Sequence, residues 1–416
     1  MKYLIWPVLL VMLASCKHAE KRSSDIVSGK IDSLYSKTLG EERKIWVYLP
    51  AGYTDAGNKQ VYPVVYLLDG DAHFPSVTGM IQQLSEVNGN TECPDMIVVG
   101  IPNTDRTRDL TPTRSILNPD GSKAAEFGSS GGGEKFEAFI QNELIPHIDS
   151  AYRAAPYKML IGHSFGGLTA MNILLNHTNM FNSYVAIDPS MWWDKHKLLD
   201  QAREILKQPK FAGRSLYLAI ANTMPDEMDT LQVRRDTTGA TTHIRCILEL
   251  KDVLVHNSHD GLKCDYRYYK DDNHGSVPLI AEYDALHFLF RFYKMPRSLS
   301  DKLFDSKAKF DPASAFSSHY ADISNHMGYK ILPPESLMNQ LAYYFMQSGL
   351  TGRAYSLFAL NIANYPRSAN AYDSMGDYYD SQKNKEKAIA YYSKALTLGN
   401  NPAIKKKLDK LLQQGK

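Results

Sequence analysis

The chain has 416 residues, of which 44% are hydrophobic and 22% charged, and its formal net charge is +2. This length exceeds that of one ordinary domain, so we expect two folded units with ample apolar material for their cores. The balanced charge, without a basic stripe interleaved with aromatic residues, argues against a nucleic-acid-binding protein.

The N-terminus has the pattern of a bacterial lipoprotein signal. Met1-Lys2 gives a positive start, Tyr3 to Leu13 is an apolar run, and Leu13-Ala14-Ser15-Cys16 resembles a lipobox. The run is too short to span a bilayer as a permanent helix. We therefore predict a signal peptide over 1–15, lipidation of Cys16 and a polar tether over 16–30. This places the protein at a bacterial cell envelope, anchored in the membrane by lipid. A signal peptide without lipid, with Cys16 incidental, is the alternative.

Short runs of β-branched, aromatic and other apolar residues predict strands along the next part of the chain. They lie at 45–49, 61–68, 96–101, 159–161, 184–187, 216–221 and 266–269. Apolar residues at helical spacing predict a helix over 136–148 and a closing helix over 280–293. Strands that alternate with helices predict an α/β-hydrolase domain over 31–295, with a mainly parallel sheet covered on both faces.

The motif Gly162-His163-Ser164-Phe165-Gly166 is the strongest functional signal. It follows a strand-like run and precedes a helical pattern, as a nucleophile elbow does. We predict that Ser164 is the nucleophile and that the Phe165 backbone N–H, at the start of a helix, donates to an oxyanion. A chance match in a loop is the alternative.

The general base is expected in the loop between the last strand and the closing helix, where His274 lies. His243, His256 and His259 lie in a polar stretch, and we expect them at the surface. Without paired Cys-x-x-Cys motifs, we expect no metal site and no cofactor.

The acid is expected after strand 216–221, in a segment that offers Asp226, Glu227 and Asp229. Asp226 is the first choice, because a carboxylate there would orient the histidine. A Ser–His dyad without an acid remains open. The second oxyanion donor is expected after strand 61–68, where Gly70 lets the backbone approach a substrate and the Asp71 N–H would donate. An ordinary Asp-Gly turn is the alternative.

Three cysteines follow Cys16 in the chain: Cys93, Cys246 and Cys264. Cys246 and Cys264 lie on two apolar, strand-like segments, and in an oxidising compartment they could form a disulfide. Two buried free thiols are the alternative.

Polar and proline-containing stretches predict a linker over 296–334, followed by a helical module over 335–416. Ala354 matches Ala388 and Tyr344 matches Tyr378 at a separation of 34 residues, which is the tetratricopeptide period. Only about two units fit, so the module would dock onto the hydrolase or bind a protein partner. A pair of unrelated helical hairpins is the alternative.

Several segments together resemble the putative esterase family, which includes enterochelin and salmochelin esterases, esterase D, and acetylxylan and feruloyl esterases. These are Tyr66–Gly70, Val99–Asn103 with Arg106, Arg108–Pro112, Phe139–Pro146, Gly162–Gly167 and Asp188–Trp193. The elbow and Asp188–Trp193 resemble the siderophore-esterase branch, and the match covers about 28–295. The chain departs from the family after strand 216–221, where Ala221-Asn222-Thr223-Met224 lacks the family's glycine.

The resemblance implies a serine carboxylic-ester hydrolase that works through an acyl-enzyme on siderophore-type or polysaccharide-linked acyl esters. Arg106, Arg108, Trp192 and Trp193 are the candidates for substrate contact. The arginines suit an anionic substrate but could equally form structural salt bridges. The tryptophans could line a pocket or belong to the core. The competing hypothesis is an envelope-anchored scaffold with a degenerate, non-enzymatic hydrolase domain.

Overall fold

The computed structural model describes residues 27–55, 58–257 and 261–413. The predicted signal peptide, Cys16 and most of the tether lie outside these residues. Within the described ranges, no helix combines the length and the apolar character needed to cross a membrane.

Eight strands form a single sheet in the part of the chain that the structure describes. They are β1 (Lys30–Ser36), β2 (Glu41–Tyr48), β3 (Tyr62–Leu68), β4 (Ile97–Ile101), β5 (Ala154–His163), β6 (Ser183–Ile187), β7 (Arg214–Ala221) and β8 (Leu262–Tyr269). Their order is β1-β2-β4-β3-β5-β6-β7-β8. β2 pairs antiparallel with both β1 and β4, and the other neighbours are parallel. This confirms the predicted α/β fold with a mainly parallel sheet.

Helices cover both faces of the sheet. They are α1 (Gly70–Ser85), α2 (Arg106–Asp109), α3 (Gly133–Phe139), α4 (Ile145–Ala151), α5 (Phe165–Asn176), α6 (Trp193–Ile205), α7 (Thr230–Arg235), α8 (Thr242–His256) and α9 (Val277–Leu289). A π-helical turn over Ile140–Leu144 joins α3 to α4, and together the three form the helix predicted over 136–148.

The sheet is apolar on both faces because successive side chains of a strand point in opposite directions. Val64, Tyr66 and Leu68 of β3 pack in one core cluster, whereas Val65 and Leu67 pack in another. Since both faces are covered, the central strands read as continuous apolar runs rather than as alternating patterns.

The segment 296–334 is not the linker that the sequence predicts. It contains α10 (Arg297–Phe304) and α11 (Pro312–Met327). Ile323 and Met327 of α11 pack in the cluster on the α9 side of the sheet. Phe316, two to three turns earlier, packs in the cluster of the C-terminal helices. The prediction failed because these apolar side chains, though at helical spacing, are separated by polar residues.

The C-terminal region is helical, as predicted. It consists of α12 (Glu335–Gln347), α13 (Thr351–Asn364), α14 (Ala369–Ser381), α15 (Lys385–Leu398) and α16 (Pro402–Gln413). α14 begins 34 residues after α12, and α15 begins 34 residues after α13. Ala354 and Ala388 are fully buried at matching positions. The assignment to tetratricopeptide repeats and the binding of a protein partner remain predictions.

The three described cysteines are free thiols. Cys264 lies on β8, but Cys246 lies on α8 rather than on the strand-like segment that the sequence predicts. The structure therefore corresponds to the alternative without a disulfide.

Candidate active site

Ser164 occupies a sharp turn between β5 and α5. Its backbone angles are φ 60° and ψ −116°, a conformation that L-residues rarely adopt and that costs about 1–3 kcal/mol. A Cβ atom on Gly162 would lie 2.2 Å from the Gly166 carbonyl oxygen, so the turn requires glycine there. The structure thus has the strand, turn and helix of the predicted nucleophile elbow.

The turn is attached to the end of β6, the next strand in the sheet. The Ser164 N–H donates to the Ile187 carbonyl at 3.0 Å, and the Ser190 N–H donates to the Ser164 carbonyl at 3.1 Å. The Ser164 hydroxyl lies 3.4 Å from the Ser190 hydroxyl. The backbone that carries Ser164 is therefore fixed relative to the residues directly after β6.

His274 and Asp188 form a hydrogen-bonded pair at the same edge of the sheet. His274 Nδ1 lies 2.6 Å from Asp188 Oδ2. Asp188 follows β6 directly, is 0% exposed and has a positive φ of 42°. Its Oδ1 accepts the Ala221 backbone N–H at 3.0 Å. With Nδ1 donating to the carboxylate, His274 Nε2 is the ring nitrogen available to accept a proton.

The structure corrects the predicted acid. Asp226 and Glu227 are exposed and form no salt bridge with any described residue. Asp229 caps α7, because its carboxylate accepts the Leu231 and Gln232 N–H groups. Asp188 holds His274 instead, from the end of β6 rather than β7. Since β6 and β7 are parallel neighbours, a carboxylate after either strand can reach the loop that carries His274.

Sequence reasoning also missed the role of His243, which we expected at the surface. His243 lies in the first turn of α8, its side chain is 17% exposed, and its Nε2 lies 2.8 Å from Asp188 Oδ2. One carboxylate oxygen therefore contacts two histidines. Burial alone would raise the pKa of Asp188, but the hydrogen bonds and charges of His243 and His274 outweigh burial and hold it well below its usual range. Asp188 is thus ionised at neutral pH.

Asp188, His243 and His274 are also the described side chains that could hold a metal ion, since one ligand atom of each lies within 4.8 Å of the others. Tetrahedral zinc ligands about 2.0–2.1 Å from the metal are about 3.3 Å apart. The observed separations of 2.6 and 2.8 Å are instead typical of hydrogen bonds. The geometry fits a hydrogen-bonded triad better than a metal centre.

Both predicted oxyanion donors lie in the first turns of helices beside the elbow. Phe165 begins α5, and Asp71 is the second residue of α1. Their backbone N–H groups have no acceptor in the part of the chain that the structure describes. A Cβ atom on Gly166 would lie 3.2 Å from Asp69 Oδ2, which shows how closely the two turns approach. This placement suits the predicted role, because N-terminal N–H groups of helices bind developing negative charge.

Arg106 and Arg108 both form ion pairs. Arg106 donates to the two carboxylate oxygens of the buried Asp69, at 2.6 and 2.9 Å. Arg108 donates to both oxygens of Glu41 and, through Nε, to Asp109. These are the structural salt bridges that the sequence left open, and a contact of either arginine with substrate remains a prediction.

The two tryptophans differ in their environments. Trp193 is 2% exposed, and its indole N–H donates to the Thr113 carbonyl at 3.0 Å. It therefore belongs to the core, which is one of the two possibilities that the sequence left open, and a contact with substrate remains a prediction. Trp192 is half-buried and packs beside Phe127 and Phe165, with ring centroids 6.2 and 6.1 Å away.

Comparisons with curated proteins identify esterases. The model of the putative esterase family matches residues 36–245. The ferri-bacillibactin esterase BesA of Bacillus subtilis is 27% identical over 236 residues, which are 55% of this chain and 78% of BesA. A siderophore enterobactin esterase of Emericella nidulans is 27% identical over 280 residues, which are 60% of this chain and 88% of that enzyme.

Solved structures resemble this chain over a larger share of its length. The IroE-like serine hydrolase from Shewanella oneidensis is 32% identical, with a TM-score of 0.68, over 80% of this chain and 98% of that chain. An uncharacterised protein from Capnocytophaga ochracea is 19% identical, with a TM-score of 0.59, over 92% of this chain and 100% of that chain, and it shares the fold. The family model spans half of this chain, from the end of β1 into α8, and includes the elbow. The chain therefore belongs to the putative esterase family.

Proposed function

We propose that this carboxylic ester hydrolase is a serine esterase in which Ser164 is the nucleophile, His274 the general base and Asp188 the acid. One observation carries the proposal: the strained Ser164 turn and the His274–Asp188 pair lie at the same edge of the sheet. The backbone hydrogen bonds between Ser164 and the residues around Asp188 join the two parts.

In the proposed reaction, Ser164 Oγ attacks the ester carbonyl carbon while His274 Nε2 takes the hydroxyl proton. The Phe165 and Asp71 N–H groups stabilise the oxyanion, and the ionised Asp188 stabilises the imidazolium. His274 then protonates the departing alcohol, which leaves an acyl group on Ser164. Water, deprotonated by His274, hydrolyses this acyl-enzyme.

For the substrate, we propose an ester of a siderophore. The names of the relatives from Bacillus subtilis and Emericella nidulans support this class over a polysaccharide-linked acyl ester. The half-buried Trp192 and Phe127, which pack beside Phe165 at the elbow, offer aromatic surface for a planar ring.

A substrate panel tests this proposal. We expect kcat/KM for an enterobactin-type trilactone to exceed that for acetylated xylan and methyl ferulate by roughly 100-fold, because differential binding of the acyl and leaving groups sets specificity. Product release is measured by chromatography. A preference for xylan or ferulate would overturn the substrate class, and hydrolysis of amides alone would overturn both ester classes. A fluorophosphonate probe that fails to label Ser164 would favour the scaffold hypothesis.

We also propose that the protein is anchored in a bacterial envelope membrane through lipid on Cys16. The lipobox-like Leu13-Ala14-Ser15-Cys16 and the preceding apolar run support this location. We expect an alkyne analogue of palmitate to label the wild-type protein in a bacterial host and not the Cys16→Ala variant, because diacylation requires the thiol. Equal labelling of both proteins would contradict the anchor. A second variant, Cys93→Ala, controls for acylation at other thiols.

A further inference from the structure

Asp188 Oδ2 lies within hydrogen-bond distance of two imidazole groups, and the proposed mechanism uses only one of them. His274 reaches it from the loop after β8, and His243 reaches the same oxygen from the first turn of α8, at 2.8 Å. The two rings meet edge to face, with centroids 5.2 Å apart. Because Asp188 is fully buried, these histidines and the Ala221 N–H supply the hydrogen bonds that its carboxylate needs.

This arrangement fixes the carboxylate from three directions. The Ala221 N–H donates to Oδ1 and holds one end of the carboxylate. A donor on Oδ2 is needed as well to restrict rotation of the carboxylate about its Cβ–Cγ bond. His274 holds Oδ2 through Nδ1 in both of its protonation states, but it lies on a loop and its side chain is 41% exposed. His243 lies on α8, its side chain is only 17% exposed, and it takes no part in the proton transfer, so it is the more rigid second anchor for Oδ2.

We propose that His243 is a positioning residue, which fixes the Asp188 carboxylate so that His274 presents Nε2 to Ser164. This inference rests on the proposed function. His243 acts through Asp188 and does not touch the reacting atoms. Its Nε2 donates to the carboxylate, which requires the tautomer or the cation with a proton on Nε2.

The hydrogen bond from His243 also reduces the effective negative charge that Asp188 presents to His274. A donor on Oδ2 weakens the attraction between this carboxylate and the imidazolium of His274, so removal of the donor strengthens that attraction. The ionisable side chain of His163 also packs against His274, with ring centroids 4.5 Å apart. Beyond it lie His73 and Asp69, and burial lowers the pKa of His163 to about 4. His163 is therefore mostly neutral near pH 7.

The test compares three variants of the full chain with the wild type. His243→Phe keeps a ring but removes the donor, and His243→Gln keeps an N–H at the distance of Nε2. His147→Phe is a matched control, because His147 Nε2 contacts the Asp32 carboxylate at 3.0 Å, and Asp32 lies on the edge strand β1, which three strands separate from β5. Each preparation is titrated with a fluorophosphonate, and kcat and KM for p-nitrophenyl acetate are measured per labelled site across pH.

We expect His243→Phe to lower kcat about 10- to 100-fold with little change in KM, as loss of a hydrogen bond to a charged group implies. The acid limb of its kcat/KM profile should move to higher pH. His243→Gln should recover most of the kcat, and His147→Phe should match the wild type. A merely structural role of His243 would reduce the number of labelled sites without moving the acid limb.

Besides an acid limb that does not move, three results would overturn the inference: kcat of His243→Phe within twofold of wild type, a rise in KM at unchanged kcat, or a His243→Gln variant as impaired as His243→Phe. Failure of the proposed function is a separate outcome. In that case wild-type Ser164 is not labelled by the fluorophosphonate at all, whatever the variants of His243 do.

Discussion

Replacement of Ser164 by alanine is expected to lower kcat for p-nitrophenyl acetate by a factor of at least ~10⁴, because the covalent pathway then has no nucleophile. Only binding and the oxyanion donors would remain to assist attack by water. Initial rates by absorbance, on protein whose circular dichroism and urea midpoint match the wild type, check this result. Turnover close to that of the wild type would end the serine-esterase proposal.

Ser190→Ala is the matched control for this experiment. Ser190 is buried, and its hydroxyl lies 3.4 Å from that of Ser164, but the proposed reaction gives it no proton to transfer. We expect this variant to keep most of its activity. A large loss in Ser190→Ala together with activity in Ser164→Ala would instead identify Ser190 as the reacting hydroxyl.

Asp188→Asn is expected to lower kcat about 10³- to 10⁴-fold, since an amide in this place favours the wrong tautomer of His274 and cannot stabilise its imidazolium. The matched control is Asp226→Asn, which alters an exposed carboxylate that contacts no described histidine and should leave kcat unchanged. Both variants are assayed with the same ester near neutral pH, where Asp188 is ionised.

The opposite result would restore the acid predicted from the sequence. If Asp226→Asn lost activity and Asp188→Asn kept it, the loop after β7 would have to close onto His274 in the working enzyme. Similar, small losses in both variants would favour a Ser–His dyad in which the carboxylates only support the fold.

The sequence predicted the features that depend on neighbouring residues. The elbow at Ser164 was recognisable because its glycines, strand and helix lie within a few positions of one another. β4 and β6 were recognisable as short apolar runs, since central parallel strands are buried on both faces. His274 was found from its place between the last strand and α9.

The parts that were missed depend on contacts between distant positions. Asp188 is separated by 86 residues from His274 and by 55 from His243, and nothing local marks a carboxylate that accepts from both. A signal was present, because Asp188 is the first polar residue after a buried strand and belongs to a segment that carries the family resemblance. His243 gave no such signal, since a polar stretch around a histidine is typical of exposed helices.

The helix α11 has a consequence for how this protein can change during evolution. Its Ile323 and Met327 are part of the hydrolase core, whereas its Phe316 is part of the core of the C-terminal helices. A recombination event that exchanged the C-terminal helices at residue 296 would therefore remove apolar side chains from the hydrolase itself. Exchange after residue 331 would leave the hydrolase core complete, because Tyr329 and Ile331, which follow α11, also pack against it. The boundary of the evolutionary domain is thus expected near residue 330. The hydrolase and α11 should therefore be gained, lost and duplicated together.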